Sequence, residues 1–197
     1  MTANAMQAAG SSHLRPLWSI ALGLAILPMA GPALAQQPAT ITVQHAKGAA
    51  TVPYAPQRVV VYDLASLDTM QALKLPVAGL AKANFPAYMK GYADARYTVA
   101  GSLFEPDFDA LSRLQPDLIV IAGRSAGKFD ILSKIAPTID LTVNNQHLLD
   151  DMQRNVNTLA SLWGKQAEGQ QLMQRVRAEV DSARAIAQQK DAGLLVL

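Results

Sequence analysis

One stretch of the chain, QPDLIVIAGR at residues 115–124, carries the clearest structural signal. It begins with a proline and an aspartate that interrupt the preceding segment, and an apolar run at 118–122 follows. Such a run is typical of a strand buried on both faces of a parallel sheet. Gly123 and Arg124 come directly after the predicted strand. Ligands bind beyond the carboxyl ends of strands in open parallel sheets, so Arg124 is predicted to recognise an anion.

The alternation of strand and helix continues outward from this stretch. A β-branched run at 58–62 precedes a helical pattern at 66–73, and a short hairpin of 41–45 and 49–52 comes before both. The further predicted strands are 77–80, 99–100 and 138–143, and the further helical segments are 85–92 (helical or irregular), 108–114 and 129–135. Strands that alternate with short helices predict an α/β fold built on a parallel sheet.

The character of the chain changes near His147. Apolar residues then recur at helical spacing up to Lys190, with one interruption at Gly164. We therefore predict an α/β lobe at 36–146 and a long helical linker at 147–190. Residues 191–197 are predicted to begin a second lobe, because GLLVL at 193–197 is typical of the start of a buried strand. On this interpretation the chain is truncated after its first lobe and linker.

The first 35 residues are predicted to be a cleavable signal peptide. His13 and Arg15 precede an apolar run at 17–30, and Ala33-Leu34-Ala35 provides the small residues that a signal peptidase recognises. A membrane anchor is the alternative, but the apolar run is shorter than the roughly 20 residues that a spanning helix needs. The sequence contains no cysteine, which leaves no site for a lipid anchor or a disulfide. The predicted product is a free periplasmic protein that is not embedded in a membrane.

Composition and motifs argue against two functional classes. The net charge is +2 and the charged residues intermingle without a basic block, which does not favour nucleic-acid binding. The sequence lacks a cysteine nucleophile, a Gly-x-Ser-x-Gly elbow, a phosphate-binding loop and a Gly-x-Gly-x-x-Gly fingerprint. No catalytic residue and no metal ligand is therefore assigned. His45 and His147 are predicted to be surface or capping residues, since neither has a second ligand at metal-binding spacing.

Five aspartates at predicted strand ends or helix starts are assigned to capping rather than to acid–base chemistry. An aspartate in such a position accepts hydrogen bonds from free backbone N–H groups. These residues are Asp63, Asp68, Asp107, Asp109 and Asp117.

Arg124 is the leading candidate for ligand binding. Gly123, Ser125 and Gly127 leave room for close approach, and the loop is predicted to open a helix whose N–H groups favour anions. The alternative is that Arg124 pairs with Asp130 or with the end of a helix. Further candidates follow other strands of the predicted sheet and could line the same crevice; they are Asp63, Lys82, Asn84 and Tyr88.

Several motifs together resemble the periplasmic iron–siderophore binding proteins of ABC importers, in particular those that bind ferric catecholates. The motifs follow one another in the family's order over residues 41–197. They are PQRVVVYD at 56–63, Leu67-Asp68-Thr69, Ala72-Leu73, VAGSL at 99–103, LQPDLI at 114–119 with Gly123-Arg124, and IAPT at 135–138.

The resemblance implies a monomeric, two-lobed binding protein without a cofactor. Its ligand would be a ferric siderophore, which it would deliver to an inner-membrane permease. Arg124 matches the arginine that meets the anionic siderophore from the first lobe. Asp109 stands where the family has a glutamate that docks on the permease, and Glu105 is a substitute. The second-lobe His and Tyr that complete iron coordination have no counterpart in this sequence.

Several alternatives stay open at this point. The cargo could be haem, cobalamin or a hydroxamate siderophore, because the second lobe holds most of the discriminating residues. An exported hydrolase would need catalytic residues beyond Leu197. The product could also be a nonfunctional remnant, and we expect residues 36–197 alone to bind weakly and to aggregate.

Overall fold

A computed structural model describes residues 39–190 of the chain, which belong to one compact unit. The predicted signal peptide at 1–35 and the predicted strand at 193–197 lie outside the described residues. The strands are β1 (Thr40–His45), β2 (Gly48–Pro53), β3 (Val59–Val61), β4 (Gly79–Lys82), β5 (Thr98–Ser102), β6 (Leu118–Ile121) and β7 (Thr138–Asp140). The α-helices are α1 (Leu64–Ala72), α2 (Phe108–Leu114), α3 (Phe129–Leu132), α4 (Leu148–Leu162) and α5 (Gln166–Lys190). Three 3₁₀ helices lie at Ala87–Ala93, Gly123–Lys128 and Asn145–His147.

The centre of the fold is a five-stranded parallel sheet in the order β5-β4-β3-β6-β7. From β3 the chain adds β4 and β5 on one side of the sheet and then β6 and β7 on the other, so the order of strands reverses between β3 and β6. A crevice forms at such a reversal because the connections on either side cross opposite faces of the sheet. The predicted α/β class and parallel sheet are therefore confirmed.

The central strands alternate their side chains between two buried layers. In β3 and β6, Val59, Val61 and Val120 pack in one layer, whereas Val60 and Ile121 pack in the other. The first layer includes residues of α1 and α4, and the second includes residues of α2 and α3. Burial of each such side chain contributes roughly 1.5–3 kcal/mol, which explains why these runs are apolar without interruption.

The segment 147–190, predicted as a helical linker, forms two helices. Gly164 separates them with a positive φ of 66°. The first helix, α4, contributes Val156 and Leu159 to the core, so it packs as part of the α/β lobe. The second helix, α5, begins on α4, where Gly169 lies against Ala160, and its residues from 181 to 188 are exposed. No helix in the described part of the chain is both long and apolar enough to cross a membrane.

Several predicted boundaries differ from the observed ones. The strand predicted at 77–80 is observed as β4 (Gly79–Lys82), because Lys82 still pairs with Ser102 of β5 across an irregularity. The strand predicted at 138–143 ends at Asp140, where Thr142 folds back on the Asp140 carboxylate. The helix predicted at 129–135 is the short α3, which ends at Leu132.

His45 corrects a prediction. It was expected at the surface or at a helix cap, but it is only 7% exposed and its ring lies 5.6 Å from that of Phe129. The hairpin brings it there, since β1 packs on α4 and Ala46 N–H donates to the Asp140 carbonyl. His147 is exposed, as expected.

The burial of His45 predicts a pH dependence of stability. Burial holds the pKa of His45 below its ordinary value of 6.5, although the Asp140 charge acts in the opposite direction. The folded state therefore favours neutral imidazole, and protonation favours the unfolded chain. This contribution is complete above about pH 6.5 and is lost as the pH falls through the folded-state pKa.

Urea denaturation between about pH 8 and about pH 5 measures this dependence. We expect His45→Gln to flatten the part of the decline that begins near pH 6.5. His147→Gln, which replaces an exposed histidine, is the matched control. An unchanged pH profile in His45→Gln would contradict the assignment.

Candidate functional site

The carboxyl ends of β3, β6 and β7 meet at one edge of the sheet beside a cavity of about 250 Å³. The segments after these strands and the helices α1 and α4 supply its walls. Its polar lining residues are Asp63, Ser66, Asp68, Thr69, Thr142 and Asn155. Its larger apolar lining residues are Leu141, Val143, Met152, Val156 and Leu159. The cavity therefore lies at the reversal of strand order, where a ligand crevice is expected.

Arg124 is exposed at this edge, immediately after the cavity-lining Gly123. Within residues 39–190, no carboxylate lies within 4.0 Å of its guanidinium, and the alternative pairing with Asp130 does not form. Its side chain makes no hydrogen bond to any other described residue. The planar fork of donors is therefore available to an anion from solvent.

The backbone on both sides of Arg124 is fastened to neighbouring strands. Gly123 N–H donates to Thr142 Oγ1 at 2.8 Å, and the Thr142 hydroxyl donates to the buried Asp140 carboxylate. Ser125 is 1% exposed; its hydroxyl accepts from Ala122 N–H at 3.2 Å and lies 3.3 Å from the Tyr62 carbonyl. These bonds connect the ends of β3, β6 and β7, so the position of Arg124 is held before any ligand arrives.

The predicted helix after Arg124 is the short 3₁₀ segment Gly123–Lys128. Two of its first N–H groups are already used, since Gly123 N–H donates to Thr142 and Ser125 N–H donates to the Ala122 carbonyl. The expected contribution of a helix N-terminus to anion binding is therefore reduced. Lys128 at the end of this segment pairs with Glu105, which leaves the Arg124 side chain as the positive charge available to a ligand.

Three of the predicted aspartate caps are confirmed. The Asp63 carboxylate accepts from Ser66 N–H at 2.7 Å and from the Ser66 hydroxyl at 2.8 Å, which begins α1. Asp107 accepts from Ala110 N–H at 2.9 Å and begins α2. The Asp117 carboxylate accepts the N–H groups of the two residues before β3 at 3.0 Å and 2.9 Å. Asp63 thus lines the cavity, but its carboxylate already accepts hydrogen bonds as the N-cap of α1.

Asp68 corrects the prediction of a capping aspartate. It lies beyond the first turn of α1, lines the cavity and makes no hydrogen bond or ion pair with another described residue. Burial raises the pKa of its carboxyl group above the usual range. Ala65, Asp68 and Thr69 share one helical face at i, i+3 and i+4, and all three line the cavity.

The remaining predicted ligand residues lie away from the cavity lining. Lys82 is the last residue of β4, while Asn84 and Tyr88 follow it, and all three are exposed. Lys82 ends the strand beside β3, whereas the Tyr88 carbonyl accepts from Gln71 Nε2 in the last turn of α1. The structure therefore places Asp63 in the cavity lining and Arg124 directly after the lining residue Gly123, whereas none of these three lines the cavity.

The two predicted docking residues lie at the start of α2. Asp109 is exposed in the first turn of that helix and has no ion-pair partner among residues 39–190. Glu105 forms an ion pair with Lys128 at 2.9 Å. The Lys128 contact partly neutralises Glu105 and leaves Asp109 as the freer charge. Two exposed aromatic residues, Phe104 and Phe108, flank these carboxylates.

Sequence reasoning missed Thr142 and Asn155. Thr142 follows β7 closely, but the predicted strand extended past it and hid its position at the sheet edge. Asn155 lies on α4, and its Nδ2 donates to the Leu141 carbonyl at 2.6 Å. No local sequence signal marks Asn155, because its place at the cavity depends on how α4 packs on the sheet.

The described residues offer a binding site for an anionic or polar ligand. No group of three or more His, Cys, Asp or Glu side chains within residues 39–190 is arranged to hold a metal ion. The site combines the exposed Arg124 guanidinium with a neighbouring cavity whose lining includes carboxylates and apolar side chains.

Comparisons with known proteins place this site in context. The model of a family described as "Periplasmic binding protein" matches residues 59–197. The petrobactin-binding protein YclQ of Bacillus subtilis (strain 168) is 41% identical over 130 residues, which cover 64% of this chain and 41% of that protein. The ferric-anguibactin-binding protein FatB of Vibrio anguillarum is 27% identical over 162 residues, which cover 80% of this chain and 50% of that protein.

Solved structures agree with these relatives. The crystal structure of YclQ aligns with a TM-score of 0.73 and 34% identity over 76% of this chain and 54% of that chain. The periplasmic catecholate-siderophore binding protein VctP from Vibrio cholerae aligns with a TM-score of 0.72 and 33% identity over 78% of this chain and 56% of that chain. The chain thus spans about half the length of the relatives it matches. All three are named as binding proteins, and none as an enzyme.

Proposed function

The chain belongs to the periplasmic binding protein family, as its sequence motifs predicted, and we propose that it binds an anionic ferric siderophore of the catecholate class for iron uptake. The ferric ion is cargo in this proposal, carried inside the chelate. The names of three relatives support an iron–siderophore ligand, since they bind petrobactin, ferric anguibactin and a catecholate siderophore.

The observation that carries the proposal is the exposed Arg124, which has no partner among residues 39–190 and lies on a loop held by hydrogen bonds. A ferric tris-catecholate spreads several negative charges over flat aromatic oxygen ligands. A guanidinium can donate two parallel hydrogen bonds to such oxygens and can stack on the aromatic ring. A neutral hydroxamate chelate offers less charge to this group, which favours the catecholate class.

The proposed setting is the periplasm, with delivery to an inner-membrane ABC permease. The proposed carrier is free and monomeric, and residues 1–197 contain no cysteine that could carry a lipid anchor. We place the permease contact at Asp109, with Glu105 secondary because Lys128 already pairs with it. The exposed Phe104 and Phe108 would add apolar contact around these charges.

A ligand panel tests the proposed function. The protein used is the full gene product from Gln36 that includes a second lobe beyond Leu197, because residues 36–197 alone are expected to bind weakly. Quenching of Trp163 and tyrosine fluorescence is followed during titration with a ferric catecholate, a ferric hydroxamate, haem and cobalamin. We expect the ferric catecholate to bind with a submicromolar Kd. The ferric hydroxamate should bind at least about tenfold more weakly, which corresponds to a loss of about 1.4 kcal/mol in binding free energy.

The iron-free catecholate is the control for nonspecific quenching. Equal or tighter binding of the hydroxamate, haem or cobalamin would reassign the cargo. Micromolar or weaker binding of every ligand would refute the siderophore proposal.

A further inference from the structure

The cavity beside Arg124 has a chemical character that differs from that of the arginine itself. In the described part of the chain, no lysine or arginine lines it, but the carboxylates of Asp63 and Asp68 do. Leu141, Val156 and Leu159 form part of an apolar wall. At about 250 Å³, the cavity can hold a chain of several heavy atoms, since a water molecule occupies about 30 Å³ in the liquid.

The side-chain hydroxyl donors around this cavity are already engaged, as is one of the two N–H groups of the Asn155 amide. The Ser66 hydroxyl donates to Asp63 at 2.8 Å, and the Thr69 hydroxyl donates to the Ala65 carbonyl at 3.0 Å. The Thr142 hydroxyl donates to Asp140, and Asn155 Nδ2 donates to the Leu141 carbonyl. The lining thus offers mainly acceptors, so a group that enters it must donate hydrogen bonds or carry positive charge.

Asp68 is an acceptor in the lining that receives no hydrogen bond from another described residue. Its carboxylate is half-buried and has no partner among the described residues. Burial raises the pKa of this group, which means that its charged form lacks a compensating partner. A cation beside Asp68 would restore the charged form and gain a charge-assisted hydrogen bond.

We propose that this cavity binds an alkylammonium arm of the siderophore, with the ammonium group paired to Asp68 and the methylene groups packed on the apolar wall. The inference rests on the proposed function and deepens it. The ligand would be bipolar: its anionic ferric centre meets Arg124, and its cationic arm enters the acceptor-rich cavity.

Two synthetic ferric bis-catecholamides with pendant arms of equal length test the inference. One arm has a secondary amine at its middle, and the other has a methylene group there. The same fluorescence titration measures both ligands with the unmodified protein, Asp68→Asn, Asp68→Glu and Asp130→Asn. Asp130→Asn removes an exposed carboxylate elsewhere on the surface and is the matched control for net charge.

We expect the unmodified protein to bind the amine-bearing chelate roughly tenfold more tightly than its methylene counterpart. Asp68→Asn should abolish this preference, while Asp68→Glu and Asp130→Asn should retain it. Equal binding of the two chelates by the unmodified protein, or a preference that survives in Asp68→Asn, would overturn the inference alone. Failure of both chelates to bind the unmodified protein would overturn the proposed function and the inference with it.

Discussion

Replacing Gly101 with alanine is expected to lower the free energy of unfolding by about 2–6 kcal/mol. Gly101 has a φ of 104°, a conformation that costs a residue with a side chain roughly 1–3 kcal/mol. An added Cβ would also lie 2.6 Å from Asp107 N and 2.9 Å from the Pro106 carbonyl carbon, and closer still to the Glu105 carbonyl oxygen. All three are backbone atoms, so the connection from β5 to α2 must shift to relieve the contact, at a cost of roughly 1–3 kcal/mol.

Two other glycines separate the causes of this loss. Gly48 has a φ of 117° but no atom within 4 Å of an added Cβ, so Gly48→Ala measures backbone strain without a steric clash. Gly91 also has open space and no positive φ, so Gly91→Ala should change stability by less than about 1 kcal/mol. Urea unfolding of the three variants measures the loss in the free energy of unfolding for each. A loss in Gly101→Ala no larger than that in Gly48→Ala would contradict the steric argument.

The β3–β6 part of the fold was predictable because its strands are buried on both faces. Such strands require uninterrupted apolar runs, and those runs are visible without knowledge of their partners. The boundaries were less predictable, because a neighbouring strand decides where pairing stops. Lys82 belongs to β4 only through its pairing with Ser102. The burial of His45 likewise depends on Phe129, which is distant in sequence but adjacent in space.

The candidate site shows the same division between local and distant information. Asp63 and Arg124 were found because each follows a recognisable strand, and a strand end predicts a position at the sheet edge. Asp68 was assigned to capping by its proximity to the helix start, although the structure places it at the cavity with Ala65 and Thr69. Asn155 could not be found in this way, because only the packing of α4 against the sheet brings it to the cavity.

Replacing Arg124 with alanine is expected to weaken binding of a ferric catecholate by about 10-fold to 100-fold. A hydrogen bond to a charged group contributes roughly 1.5–3 kcal/mol, and each 1.4 kcal/mol corresponds to tenfold in affinity. The guanidinium has no partner among the described residues, so its loss should leave the free energy of unfolding within about 0.5 kcal/mol of the unmodified value. Fluorescence titration and urea unfolding of the same preparations measure both quantities.

Two further variants distinguish the geometry of Arg124 from its charge. Arg124→Lys keeps the charge but loses the planar fork, so its affinity should fall between those of the unmodified protein and Arg124→Ala. Arg113→Ala removes an exposed arginine from the last turn of α2, which lies at the opposite end of that helix from the cavity edge, and should bind normally. If Arg113→Ala weakened binding as much as Arg124→Ala, general electrostatic attraction would explain the ligand's affinity. If Arg124→Ala bound the ferric catecholate as tightly as the unmodified protein, Arg124 would not belong to the ligand-binding site.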